Sequence, residues 1–296
     1  MKPFAAQQTS STMMELGSFG RRAAKQSSKL AVAIALHGSG SSGGQWSTLR
    51  EELQLQVFTP DLTECGSIQH WRGDQPFRLA DEARPIVALI DALEAPAHLI
   101  GHSYGGGVAL RIAVERPTRI ASLTLYEPTA FHVLKACGDA GHAALKGIRA
   151  LAEEIEQHLV AGTCPSAARR FVDYWNGPGT FGSLTKDAQE KLSRYIPKVP
   201  IEFRALIEET TPLMAFRKLR IPLLIMCGEH GPTSTQLIAR KLATVMNPGS
   251  LRMIAGAGHM GPFTHGEAVV ENIIARIVGL DQPASGSLAT SARQAA

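Results

Sequence analysis

Ala97-His98-Leu99-Ile100-Gly101-His102-Ser103-Tyr104-Gly105-Gly106 is the stretch that decides the fold. It opens as a short apolar run, which reads as a buried strand. It closes on Gly101-His102-Ser103-Tyr104-Gly105, a G-x-S-x-G pattern. Gly106-Gly107-Val108-Ala109-Leu110-Arg111-Ile112-Ala113 then continues with helical spacing up to Pro117. A serine between a strand and a helix sits on a sharp, strained turn. Glycines two before and two after it let strand and helix approach without a Cβ clash. The hydroxyl is then exposed above the sheet edge, and the helix N-terminus favours negative charge there. The five-residue pattern alone is weak; in this strand–turn–helix context it points to a nucleophile at Ser103.

Outward from this turn, short apolar runs alternate with helical patterns. Lys29–Gly38 and Leu55–Leu62 read as strands before it. Pro76–Leu93 reads as an amphipathic helix with a break near Pro85. Arg119–Pro128, Arg220–Glu229 and Ser250–Gly256 read as strands after it. This order predicts an α/β fold with a mostly parallel, doubly wound sheet. Residues 129–212 break the pattern with helical stretches and no clear strand, so they predict a helical cap inserted between core segments 13–128 and 213–280. A last helix starts at Thr264, where Thr264 and Glu267 have capping-box spacing. Residues 1–12 and 281–296 are polar or small and predict disorder.

Composition bounds the rest. The chain has 296 residues, 44% of them hydrophobic and 19% charged, enough for one large α/β domain with an insertion. The net charge of +4 is spread along the chain, which argues against nucleic-acid and membrane-surface partners. A small-molecule substrate is the expected partner. No apolar run reaches the ~20 residues of a membrane helix. The N-terminus has no secretory h-region. The four cysteines are scattered without a C-x-x-C, so no zinc or redox site is expected. Reduced thiols and a cytoplasmic location are the default reading. No metal or organic cofactor is expected.

Two further motifs complete a chemical reading. His37-Gly38-Ser39-Gly40 follows a strand directly. An oxyanion needs two preorganised N–H donors; Tyr104, after the serine, supplies one, and Ser39 is the best candidate for the other. No lysine follows as in a phosphate-binding loop. His37 itself reads as a brace for this loop. Gly256-Ala257-Gly258-His259 follows the last strand, where a histidine can reach back to the serine. Among ten histidines, His259 is therefore the expected general base. His265 is its rival, but it sits at the first position of the capped last helix. His70, His132, His142 and His158 fall in loops or the helical insertion, and His102 cannot point back at its neighbour.

The segments HGSGSS (37–42), GHSYGG (101–106) and GAGH (256–259), in this order, resemble the α/β-hydrolase superfamily. The resemblance covers about residues 28–280. Trp46, Pro60-Asp61-Leu62 and Cys65-Gly66 are smaller echoes. The nearest branch in shape holds esterases, haloperoxidases and C–C hydrolases. The resemblance implies a helical cap inserted after the sixth strand. Haloalkane dehalogenases and epoxide hydrolases of this fold use aspartate at the nucleophile position, so Ser103 argues against both. The implied reaction is acyl transfer to water, with a carboxylic ester of a small or medium apolar acyl group as the broadest case. Thioester or C–C cleavage, and a non-catalytic binding protein of the same fold, remain alternatives.

The departure from the family is the acid. Its usual aspartate would stand at Gly231, within Gly228-Glu229-His230-Gly231-Pro232. The histidine still needs a carboxylate to fix its tautomer. Glu127 and Glu229 both follow apolar strands on the edge where Ser103 is exposed. Some haloalkane dehalogenases resemble this chain in carrying a glutamate at the strand end matching Glu127. Glu127 is therefore placed ahead, with Glu229 as the alternative.

Overall fold

The computed structural model describes residues 31–62, 76–246 and 250–281. The expected disorder at 1–12 and 282–296, residues 13–30, the Cys65-Gly66 pair and His70 lie outside the described residues. Asp281 still belongs to the last helix.

The described elements are, in chain order, β1 (Val32–Leu36), α1 (Ser47–Glu52), β2 (Gln56–Phe58), α2 (Leu79–Ala92), β3 (Ala97–His102), α3 (Tyr104–Glu115) and β4 (Ile120–Tyr126). Next come α4 (Gly138–Val160), α5 (Cys164–Asn176), α6 (Thr180–Ser183), α7 (Lys186–Tyr195), α8 (Val199–Ile207) and α9 (Leu213–Lys218). β5 (Leu223–Gly228), α10 (Thr233–Met246), β6 (Leu251–Ile254), α11 (Gly261–Thr264) and α12 (Gly266–Asp281) close the chain.

The sheet has the order β2-β1-β3-β4-β5-β6, and every pairing is parallel. The chain steps from β1 outward to β2, then crosses back to β3 and winds the other way. The loops leaving β1 and β3 therefore diverge at one crevice above the strand ends, where open α/β sheets hold their ligands. Ser39 and Ser103 sit on those two loops.

Alternation along the strands builds two cores. Ile34, Leu36, Leu99, Leu123 and Leu125 pack with α2, α3 and much of the helical segment. Ala33, Ala35, Ile100, Tyr126 and Met226 face the other way, onto Leu49 of α1 and Val269, Ile273 and Ile277 of α12. β3 is buried along its whole length, as a central parallel strand should be.

Several expectations are corrected. The second strand covers only Gln56–Phe58, since Pro60 lacks a donor for the ladder. The helix around Pro85 does not break; α2 runs through it, with Pro85 on the exposed side where one lost hydrogen bond is tolerable. Among the described residues four strands, not six, precede the helical segment. The capping box at Thr264 does not form. Thr264 ends α11 and its hydroxyl bonds back to Met260 O, while α12 starts only at Gly266. Helix α8 is absent from the sequence reading: it is short, opens near Pro200 and is buried on nearly every side, which erases an amphipathic period. No described helix is long and apolar enough to cross a membrane.

Candidate active site

Ser103 is held at φ 53° and ψ −118°. Only Ser103 and Glu127 among the described non-glycine residues have positive φ, a conformation side chains rarely accept. The neighbouring glycines explain how the turn closes. A Cβ on Gly101 would lie 2.5 Å from Gly105 O, and one on Gly105 would lie 2.5 Å from His37 O. The Ser103 N–H donates to Tyr126 O (3.0 Å), which ties the turn to β4. Ser103 immediately precedes α3, whose N-terminus projects its positive dipole end there.

Three side chains predicted from sequence meet at this point. His259 Nε2 lies 2.9 Å from Ser103 Oγ. His259 Nδ1 lies 2.7 Å from Glu127 Oε2. All three residues are buried. The Glu127 carboxylate also accepts from Gly228 N–H (2.9 Å, Oε1) and from the Thr235 hydroxyl (2.8 Å, Oε2). Glu229 is elsewhere: it is exposed, and its carboxylate accepts from Gly256 N–H at 3.0 Å. The structure therefore brings Glu127 to the histidine and sends Glu229 away. A Cβ at Gly231, the position where the family's aspartate would stand, would fall 1.9 Å from Glu127 Oε1. The Glu127 carboxylate fills the space such a side chain would need.

The loop after β1 packs directly on the serine. A Cβ on Gly38 would be 3.3 Å from Ser103 Cβ. Gly38 N–H donates to Gln45 Oε1 (3.1 Å). His37 braces the loop from beneath: Nε2 accepts from Leu62 N–H (2.9 Å), which leaves Nδ1–H to donate to Gly38 O (2.8 Å). The Tyr104 N–H opens α3 and so has no intrahelical acceptor.

A model of the alpha/beta hydrolase family matches residues 33–272. The chain belongs to that family. Lipase LipV of Mycobacterium tuberculosis is 31% identical over 100 residues, covering 33% of this chain and 37% of the lipase. 2-Hydroxymuconate semialdehyde hydrolase of Pseudomonas sp. strain CF600 is 32% identical over 98 residues, 31% of this chain and 34% of that enzyme. The matched stretches thus span little more than a third of these relatives. MenH from S. aureus superposes with a TM-score of 0.66 at 18% identity, over 85% of this chain and 95% of that one. That likeness shows the fold.

Around this alpha/beta hydrolase site lie side chains that motif reading did not reach. The indole of Trp175, on α5, stacks on the His259 ring at 4.2 Å between centroids and 25° between planes. Trp175 also lines a cleft of about 950 Å³ together with Ala144, Tyr174, His230, His259 and Met260. Ser103 is not among the lining residues. Phe131 and Phe171, by contrast, pack on Phe203, and Phe181 is buried beneath Arg169. Tyr126 OH donates to Gly258 O (2.7 Å), fixing the histidine loop. His265 is not the first residue of a helix; it stands between α11 and α12, and Nδ1 bonds to the Thr264 hydroxyl at 2.9 Å. Helical periodicity gave Trp175 no signal separate from packing aromatics.

A buried charge cluster backs the β1 loop. Lys198 Nζ lies 3.2 Å from Glu202 Oε1 and 3.7 Å from Glu82 Oε2, with all three side chains shielded from solvent. Tyr104 OH donates to Glu82 (2.8 Å) and Tyr195 OH to Glu202 (2.5 Å). Burial raises the Glu202 carboxyl above its usual range, against the pull of Lys198 and a hydrogen bond from the Ser39 hydroxyl. Burial also pushes the Tyr104 phenol well up, so it stays a donor. Glu82 belongs to α2, whereas Lys198 and Glu202 belong to the helical segment. The cluster therefore ties that segment to the sheet beside Ser39.

Proposed function

We propose that this alpha/beta hydrolase is a serine hydrolase that cleaves carboxylic esters of small or medium apolar acyl groups through an acyl-enzyme. The observation that carries the reading is the unbroken chain Ser103 Oγ–His259 Nε2–His259 Nδ1–Glu127 Oε2, at 2.9 and 2.7 Å. His259 takes the serine proton as Oγ attacks the ester carbonyl. Glu127 holds the Nδ1–H tautomer and stabilises the imidazolium. The oxyanion is bound by the N–H groups of Tyr104 and Ser39. His259 then returns its proton to the leaving alcohol, and water repeats the cycle to release the acid. This chemistry needs no metal or organic cofactor. Residues 129–212 act as a cap, and its Trp175 and Tyr174 supply apolar walls near His259.

Covalent labelling by a fluorophosphonate, together with turnover of p-nitrophenyl esters of rising chain length, tests the reading. Ser103→Ala should abolish labelling and lower kcat by about 10⁶ while the protein stays folded. A folded wild-type protein that neither labels nor turns over any ester would point to a binding member of the fold. The likeness to 2-hydroxymuconate semialdehyde hydrolase favours a second reading, C–C bond hydrolysis by the same serine.

A further inference from the structure

His102 and Gln45 take no part in the chemistry above, yet they stand between its two loops. Gln45 Oε1 faces Gly38 N at 3.1 Å. Gln45 Nε2 faces His102 Nδ1 at 3.0 Å. His102 Nε2 faces the backbone oxygen of His259 at 2.9 Å. These contacts can be satisfied in one direction only. A backbone N–H only donates, so the amide atom opposite Gly38 must be the oxygen. The amide nitrogen then only donates, so His102 Nδ1 must accept and carry no proton. A neutral imidazole with a bare Nδ1 carries its proton on Nε2, and that N–H donates to the His259 carbonyl. The amide orientation and the tautomer thus fix one another.

The surroundings keep the ring in this state. His102 is 1% exposed, with Tyr126 edge-on at 5.7 Å and the His259 ring at 5.1 Å. Burial and the neighbouring His259 hold its pKa well below the usual histidine range. There is no slack on the Gly38 side, where an added Cβ would fall 2.9 Å from His102 Nδ1.

We propose that His102 is a positioning residue, and that with Gln45 it forms a one-way hydrogen-bond chain locking the Gly38 loop and the His259 backbone in register on either side of Ser103. The catalytic consequence rests on the serine-hydrolase reading; the chain itself does not. During the reaction charge grows on the oxyanion at one end and on the imidazole at the other. A shift of either loop by ~1 Å is enough to cost ~10²-fold in rate.

Two measurements on the full-length protein decide this. In the first, imidazole ¹⁵N spectra report the His102 tautomer. The signals are assigned by their loss in His102→Gln, or by their shift in Gln45→Met if that variant does not fold. His102 should hold the neutral Nε2–H form from about pH 5.5 to 8, where an ordinary histidine titrates. A ring that titrates there, or carries its proton on Nδ1, overturns the proposal even if no ester is ever cleaved. In the second, p-nitrophenyl butyrate turnover is compared across Gln45 variants. Gln45→Met should lower kcat by ~10-fold or more with little change in KM, as loss of a supporting shell does. Gln45→Glu should not rescue it. Its carboxylate can accept from Gly38 but cannot donate to Nδ1, so either the Nε2–H link is lost or a charged ring faces His259. A loop held only by packing would accept this isosteric change. Wild-type kcat in Gln45→Glu, or a Gln45→Met/His102→Gln double variant whose losses multiply in full, would also overturn the proposal.

Discussion

Strands β4 and β5 run side by side in parallel, and each is followed by a glutamate, but the two glutamates live in opposite surroundings. Glu127 is buried, sits at φ 41° and gives its carboxylate to Gly228 N–H, Thr235 and His259. Glu229 is exposed and braces the turn at Gly256. Positive φ is what separates them. It turns the Glu127 side chain under the next loop, at a cost of about 1–3 kcal/mol for a non-glycine residue. Three charge-assisted hydrogen bonds at about 1.5–3 kcal/mol each offset that strain. The comparison teaches that which carboxylate reaches His259 is decided by its point in space rather than by its strand.

The comparison breaks most sharply on the paired amide substitutions. Glu127→Gln should lower kcat by about 10⁴, as an acid-to-amide change does in the serine-protease template. Glu229→Gln should stay within about threefold, because an exposed contact contributes little. Steady-state kinetics on both, with melting curves to equalise stability, give the answer. The reverse pattern would return the acid to β5.

Gly231 sharpens the same comparison. Gly231→Ala puts a methyl 1.9 Å from the present position of Glu127 Oε1, so the carboxylate must move. A shift of ~1 Å in a positioned group costs ~10²-fold, and kcat should fall by about that much. Gly231→Asp introduced into Glu127→Ala should regain ~10-fold over Glu127→Ala alone, since it places a carboxylate at the position that the family resemblance implies for the acid. Wild-type kcat in Gly231→Ala would show that Glu127 has room to spare.

The contrast also marks where sequence reading stops. Ser103, His259 and their loops are legible because their placement follows local patterns: glycines at fixed offsets around a strained serine, and a histidine just past a strand. Gly231 was legible as a gap. What fills the gap was open between Glu127 and Glu229, because nothing local to either residue reports φ at 127 or the distance to His259. The supporting partners were further from view. Gln45 lies 57 positions from His102 and Thr235 lies 108 from Glu127, so no window along the chain joins them. Nothing in the helical spacing around Trp175 marks it as the ring that stacks on His259. The parallel, doubly wound character of the sheet was legible from alternating strand and helix patterns, whereas Pro85 misled because a helix can carry proline on an exposed face.

The smallest expected effect concerns the partner that only Glu127 has. The Thr235 hydroxyl lies 2.8 Å from Glu127 Oε2, the same oxygen that accepts from His259, and 2.9 Å from Pro232 O. It has one proton to share between them. Thr235→Val keeps the shape and removes the donor. The carboxylate then keeps Gly228 N–H on Oε1 and His259 on Oε2. Its orientation is less fixed, but its charge remains hydrogen-bonded. The loss should therefore be that of a supporting contact, about 10-fold in kcat with KM unchanged. Stability should fall by about 1.5–3 kcal/mol, the range for a hydrogen bond to a charged group. Thr235→Ser retains the hydroxyl and should recover most of the rate, which separates the hydrogen bond from the methyl packing. Equal kcat in the valine variant and the wild type would mean that the backbone, Gly228 and His259 hold Glu127 in place without Thr235.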